Sequence, residues 1–98
     1  MKREKLSSDE IARQLQTLPE WKLDEGCLFR KLTFPDFNHA FAFMTKVALI
    51  AESINHHPDW QNVYNTVSIH LSTHDAGGIT ALDFEMASRI SQAAGKTP

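Results

Sequence analysis

Glu52-Ser-Ile-Asn-His-His-Pro-Asp-Trp60 is the stretch on which the reading of the fold turns. Apolar residues recur at helical spacing before it and alternate after it. The ring of Pro58 crowds the backbone of His57 and pushes it out of the helical region toward extended geometry. The sequence therefore predicts a helix that ends near His57 and a strand that starts beyond Pro58. His56 then falls in the last helical turn, four residues after Glu52, the separation at which helical side chains meet. The negative end of the helix dipole and a nearby carboxylate would both favour a charged imidazole there, which makes a workable proton donor near neutral pH. A plain capping role fits the same residues, because histidines are common at helix C-termini.

Upstream, Pro35-Asp36 opens the helix, with Asp36 as N-cap. Phe37, Phe41, Met44, Ala48 and Ala51 recur at three- and four-residue steps, and Ala40, Val47 and Ile54 widen the stripe. From Phe37 to Ile54 such a helix spans ~27 Å. The stripe reads as core, and His39, off it, as solvent-facing. Downstream, Trp60 to Tyr64 reads as a strand and Asn65-Thr66 as a tight turn. Val67, Ile69 and Leu71 then alternate with Ser68, His70 and Ser72, the pattern of a half-buried strand with His70 on its outer side. Thr73 to Gly78 is a loop. Thr80 with Asp83 marks a last helix start, and Leu82, Met86, Ala87, Ile90 and Ala94 give that helix its apolar face, with a stop near Gly95.

Toward the N-terminus, Ser7-Ser-Asp-Glu10 reads as a capping box flanked by the Leu6/Ile11 staple. Ile11, Leu15 and Leu18 share a face, and Pro19 closes this first helix. Met1 to Lys5 is charged and expected to fray. Trp21 and Leu23 alternate with Lys22 and Asp24, Glu25-Gly26 makes a turn, and Cys27 to Phe34 forms a second strand. In it Leu28, Leu32 and Phe34 share one parity, Arg30 interrupts them, and Phe29 faces the other way. The order α-β-β-α-β-β-α implies an α+β two-layer sandwich, a four-stranded antiparallel sheet with three helices on one face. Its two open edges are the kind that small sheets pair in a dimer.

The chain has 98 residues, 42% of them hydrophobic, enough for one core and one domain spanning residues 1–98. A net charge of −2 gives no basic footprint for nucleic acid. One cysteine, Cys27, excludes an intramolecular disulfide and fits a reducing compartment. No apolar run approaches the ~18 residues of a membrane span, and no signal-peptide core is present, so the cytoplasm is the expected location. No nucleophile elbow, phosphate loop or dinucleotide fingerprint occurs. Chemistry concentrates instead on His56 and His57 at the helix-to-strand junction and His74 in the loop after the last strand. If both junctions open at one end of the sheet, Ser72, Thr73 and Asp75 join them. A zinc site built from these histidines with Glu52 or Asp75 is disfavoured, since adjacent histidines on a helix point ~100° apart.

Read together, E-S-I-N-H-H-P-D-W-Q-N-V-Y-N, V-S-I-H-L-S-T-H-D-A-G-G-I-T and F-P-D-F-N-H-A-F-A-F-M-T-K-V-A-L resemble the pterin-4a-carbinolamine dehydratases, also called the dimerisation cofactor of hepatocyte nuclear factor. The resemblance runs from about Trp21 to Ile90. It implies dehydration of the 4a-hydroxytetrahydropterin left by aromatic amino acid hydroxylases, giving quinonoid dihydropterin for reuse. It also implies a homodimer or homotetramer and no metal or organic cofactor. On this analogy His56 and His74 are acid/base catalysts that approach the 4a carbon from opposite sides, and His57 holds the pterin. Glu52 orients His56; Asn55, Ser72, Thr73 and Asp75 line the site, with Pro58 and Trp60 beside them. Asn55 and Asp75 stand where mammalian members carry Asp and Glu, and the first change removes a negative charge beside His56. Mammalian members also bind a transcription factor's dimerisation segment, so a non-enzymatic protein-binding module is the alternative. Retention of all three histidines favours the enzyme.

Overall fold

The computed structural model describes residues 4–95; residues 1–3, part of the stretch expected to fray, lie outside the described residues. The elements are α1 (Ser8–Leu15), β1 (Lys22–Asp24), β2 (Cys27–Thr33), α2 (Phe37–Ser53), β3 (Asp59–Val63), β4 (Thr66–Leu71), a 3-10 turn (His74–Ala76) and α3 (Ala81–Ala94). The four strands pair antiparallel in the order β1-β2-β4-β3, which is the expected α-β-β-α-β-β-α two-layer arrangement. Leu28 and Leu32 of β2 and Val67, Ile69 and Leu71 of β4 point into the core, where Val47 and Ala51 of α2 and Met86, Ala87 and Ile90 of α3 meet them.

Local chemistry places the helix starts. Ser7 Oγ accepts the Glu10 N–H at 3.2 Å, and Asp36 Oδ1 accepts the His39 N–H at 2.9 Å. Thr80 and Asp83 form a full capping box on α3. Glu25 and Gly26 turn the first hairpin with φ of 51° and 78°, the left-handed pair that matches the twist of the flanking strands. Arg30, which interrupts the apolar parity of β2, is buried on the core face. It shares Ser91 Oγ with the Trp21 indole: both N–H groups donate to that oxygen, at 3.2 and 3.0 Å. Burial lowers the Arg30 pKa from its ordinary value, with the Glu20 charge acting the other way.

Four expectations need correction. α1 ends at Leu15 rather than running on to Pro19, although Leu18 still packs on the core. Leu23 is exposed, because β1 is a three-residue edge strand. The second hairpin turns at Tyr64-Asn65, one residue earlier than read, with Tyr64 at φ 51°. The largest difference concerns α2. Its buried face is Ala40, Phe43, Val47 and Ala51, while Phe37 and Phe41 from the expected stripe are 44% and 55% exposed. The polar residues Asn38, His39, Thr45, Lys46, Glu52 and Ser53 share one arc of the helix, but the apolar arc opposite is wider than the strip that is buried, and packing against the sheet and α3 selects that strip. Leu49, at 68% exposure, stands among the polar side chains of the opposite side.

Candidate functional site

The end of α2 sets the first wall of the site. Ile54 is its C-cap, and Asn55 follows with φ 52°, a left-handed conformation that asparagine tolerates better than most residues. The His56 N–H donates to the Ala51 carbonyl at 3.0 Å and the Asn55 N–H to the Glu52 carbonyl at 3.3 Å. This 6→1 and 5→2 pair is a Schellman motif. His56 therefore lies past the helix rather than in its last turn, and the chain reverses sharply before Pro58 directs it into β3.

That reversal changes the partners of both histidines. Glu52 Oε1 lies 2.9 Å from His57 Nε2, not on His56, and this pair is largely exposed. His56 turns inward, to 6% exposure, and its Nε2 sits 2.5 Å from Oδ1 of Asp83, a carboxylate with no solvent exposure. Asp83 Oδ2 accepts two further hydrogen bonds at 2.9 Å, from Thr73 Oγ1 and from the Thr80 N–H. Thr73 thereby spends its proton on Asp83, so the 2.8 Å contact between the two threonine hydroxyls is donated by Thr80. The buried carboxylate is thus held by three donors, and His56 with Nε2 committed to it has Nδ1 left for a ligand.

The second wall comes from the end of β4. The Thr73 N–H donates to the Gly78 carbonyl at 2.9 Å, which closes Thr73 to Gly78 into a tight loop containing the 3-10 turn. Gly77 adopts φ 72° there, which a side chain would strain. His74 and Asp75 ride on this loop, while Thr73 beneath them is tied to Asp83. One carboxylate therefore sets the position of both walls.

Between the walls lies a cavity of about 200 Å³ lined by Asn55, His56, His57, Ser72, Thr73, His74 and Asp75. The two junctions do open at one end of the sheet. Three residues of the sequence reading stand apart from the lining. Glu52 reaches His57 from outside, Pro58 fixes the backbone after it, and Trp60 pairs with Ile69 in the sheet and packs against the core. His70 points away from the core as read; its Nε2 lies 3.1 Å from Asp24 Oδ2 and its ring 4.6 Å from that of Phe29. Asp83 is the residue the sequence reading missed as part of the site. It was visible only as a capping-box position, and nothing local showed that its second oxygen would meet a histidine from 27 residues earlier.

A larger depression of about 480 Å³ between α1 and α3 is lined by Gln14, Thr17, Glu85 and Ser88 among others, and contains no histidine. Convergent titratable groups, rather than volume, mark the chemistry. Among the described residues no group of three or more His, Cys, Asp or Glu side chains is placed to hold a metal ion, and no helix is long and apolar enough to cross a membrane.

Comparison with known proteins agrees on one family. Residues 4–93 match the family model described as Pterin 4 alpha carbinolamine dehydratase. A protein of Mesorhizobium japonicum, provisionally named pterin-4-alpha-carbinolamine dehydratase, is 53% identical over 92 residues, covering 92% of this chain and 94% of the relative. One from Chelativorans sp., named in the same way, is 48% identical across 98% of this chain and all of its own length. Among solved structures, a transcriptional coactivator/pterin dehydratase from Brucella melitensis superposes with a TM-score of 0.91 at 38% identity, over 94% of this chain and all of that one.

Proposed function

The chain belongs to the pterin 4 alpha carbinolamine dehydratase family, and from that premise we propose that it removes water from a 4a-hydroxytetrahydropterin to give quinonoid dihydropterin. The observation that carries this reading is the cavity where His56, His57 and His74 converge, with His56 anchored on buried Asp83. The reaction breaks the bond between C4a and its hydroxyl oxygen. An acid delivers a proton to that oxygen, which leaves as water, and a base takes a proton from a ring nitrogen as the new C=N bond forms. One proton is given and one taken, so no external reagent is consumed.

Imidazoles suit both tasks, because their unperturbed pKa lies close to neutral pH. His56 and His74 stand on opposite walls and serve as the acid/base pair. Asp83 holds the His56 ring in one tautomer and one orientation, so that Nδ1 meets the substrate. His57, braced by Glu52, positions the pterin at the mouth. Ser72, Thr73, Asn55 and Asp75 supply the polar lining that a nitrogen-rich ring requires. In a cell with an aromatic amino acid hydroxylase, this activity would return the pterin to the reducing step.

The test is the dehydration rate of freshly generated 4a-hydroxytetrahydropterin with and without the protein, the spontaneous reaction being the control. Clear acceleration is expected; none from well-folded protein would reject the reading. The Brucella neighbour's double description and the exposed Phe37, Phe41 and Leu49 of α2 favour a second role in protein binding. A pull-down in which Phe41→Glu loses a partner that wild type captures would support it.

A further inference from the structure

We propose that Lys5, anchored by Leu6, is a positioning residue for the dehydration: its stem straps the loop that carries His74 and so holds that imidazole in place; the proposal rests on the dehydratase reading. The three histidines of the cavity are fixed in different ways. His56 is tied to Asp83 and His57 to Glu52. His74 makes no side-chain hydrogen bond among the described residues, so its place depends on the backbone of its loop.

That loop has one firm arm and one soft one. Thr73 enters it buried and bonded through Oγ1 to Asp83. His74, Asp75 and Gly77 at the tip are exposed. The return arm is closed on Thr73 by two backbone bonds: the Thr73 N–H donates to the Gly78 carbonyl at 2.9 Å, and the Gly78 N–H to the Thr73 carbonyl at 3.3 Å. A segment with so little buried surface of its own opens at small cost.

The N-terminal segment lies on the soft arm. The Leu6 N–H donates to the Ile79 carbonyl at 2.8 Å. Lys5 then crosses Gly78 so closely that a methyl group at residue 78 would come within 2.9 Å of Lys5 Cε, 3.2 Å of Cγ and 3.3 Å of Cδ. Gly78 is not in the left-handed region, so the Lys5 stem is what leaves no room for a side chain there. Lys5 is exposed, and what it adds is the cover of its methylenes. The strap is itself held at its other end, because Leu6 packs on the core and Ser7 caps α1. Loosening it frees Gly78 from above and lets the His74 tip drift. A proton donor or acceptor displaced by about 1 Å slows the chemical step while the rings still bind.

The experiment compares dehydration kinetics and amide hydrogen exchange for wild type, Lys5→Ala, Lys5→Met, Gly78→Ala and the Lys5→Ala/Gly78→Ala double variant. Lys5→Ala is expected to lower kcat about ten-fold, to leave KM within about two-fold and to speed exchange of the Thr73 N–H. Gly78→Ala, whose methyl pushes the stem aside, should act in the same way, and the double variant should be no slower than either. Lys5→Met keeps the length of the stem without its charge and should restore the rate. An unchanged kcat in Lys5→Ala, losses that multiply in the double variant, or no recovery in Lys5→Met would overturn the strap while leaving the dehydratase reading in place. No acceleration by wild type would overturn both.

Discussion

His56 Nε2 and Asp83 Oδ1 lie 2.5 Å apart inside the core, joining the reversal after α2 to the first turn of α3. Removing either partner should do more than weaken the site. His56→Ala leaves a buried carboxylate short of a donor, at a cost of about 3 kcal/mol by urea unfolding, and lowers the dehydration rate about 10²-fold. Asp83→Asn keeps one acceptor for Thr73 and the Thr80 N–H but turns its amide N–H against the His56 ring nitrogen, and is expected to cost about 2 kcal/mol. A double-mutant cycle should give a coupling of roughly 1–3 kcal/mol between the positions. Additive losses would show that the pair does not act as a unit.

The Glu52–His57 pair behaves differently because both side chains are more than half exposed. Exposed ion pairs contribute little to stability. Glu52→Gln should therefore change unfolding free energy by less than about 0.5 kcal/mol while raising KM for the carbinolamine a few-fold, as a loosened His57 holds the rings less well. A collapse of kcat at constant KM would instead place Glu52 in the acid/base machinery.

How far the sequence foretold this arrangement depends on the range of each interaction. The β4 alternation at Val67, Ile69 and Leu71, the caps at Ser7, Asp36 and Thr80 and the Glu25-Gly26 turn are local, and each was legible. The meeting of His56, His57 and His74 was foreseen only on the condition that the helix-to-strand junction and the β4 loop open at one end of the sheet, which they do. The α2 face was legible only coarsely, since the apolar arc opposite Asn38, Thr45, Lys46 and Glu52 is wider than the strip that packing buries. The histidine partners were not legible. A left-handed Asn55 exchanged what Glu52 could reach, and Asp83 entered the site only through tertiary packing.

Asp36 offers a test in acid. Its pKa is lowered from the ordinary 3.8, chiefly by the His39 N–H it accepts and then by the His39 side chain. A depressed carboxylate contributes stability that is complete above 3.8 and disappears as pH falls through the lowered value. Asn caps nearly as well without titrating. Wild type and Asp36→Asn should therefore differ in Tm near neutral pH and converge on acidification below 3.8. Divergence on acidification would mean that the cap does not carry the effect.

The outer face of α2 gives the last prediction. The Phe37 and Phe41 rings lie tilted against each other with centroids 5.6 Å apart, exposed on α2 beside its buried face. Two exposed aromatic side chains side by side on a small chain favour association. Sedimentation at micromolar concentration should show a dimer or tetramer for wild type and a smaller species for Phe41→Glu. Because Phe41 is 55% exposed, the substitution should leave the fold, and hence its circular dichroism spectrum, unchanged. The histidine cavity is built from the ends of α2 and β4 and the start of α3, away from Phe41. Dehydratase activity per chain should therefore survive dissociation, and its loss would mean that assembly holds the His56 reversal in place.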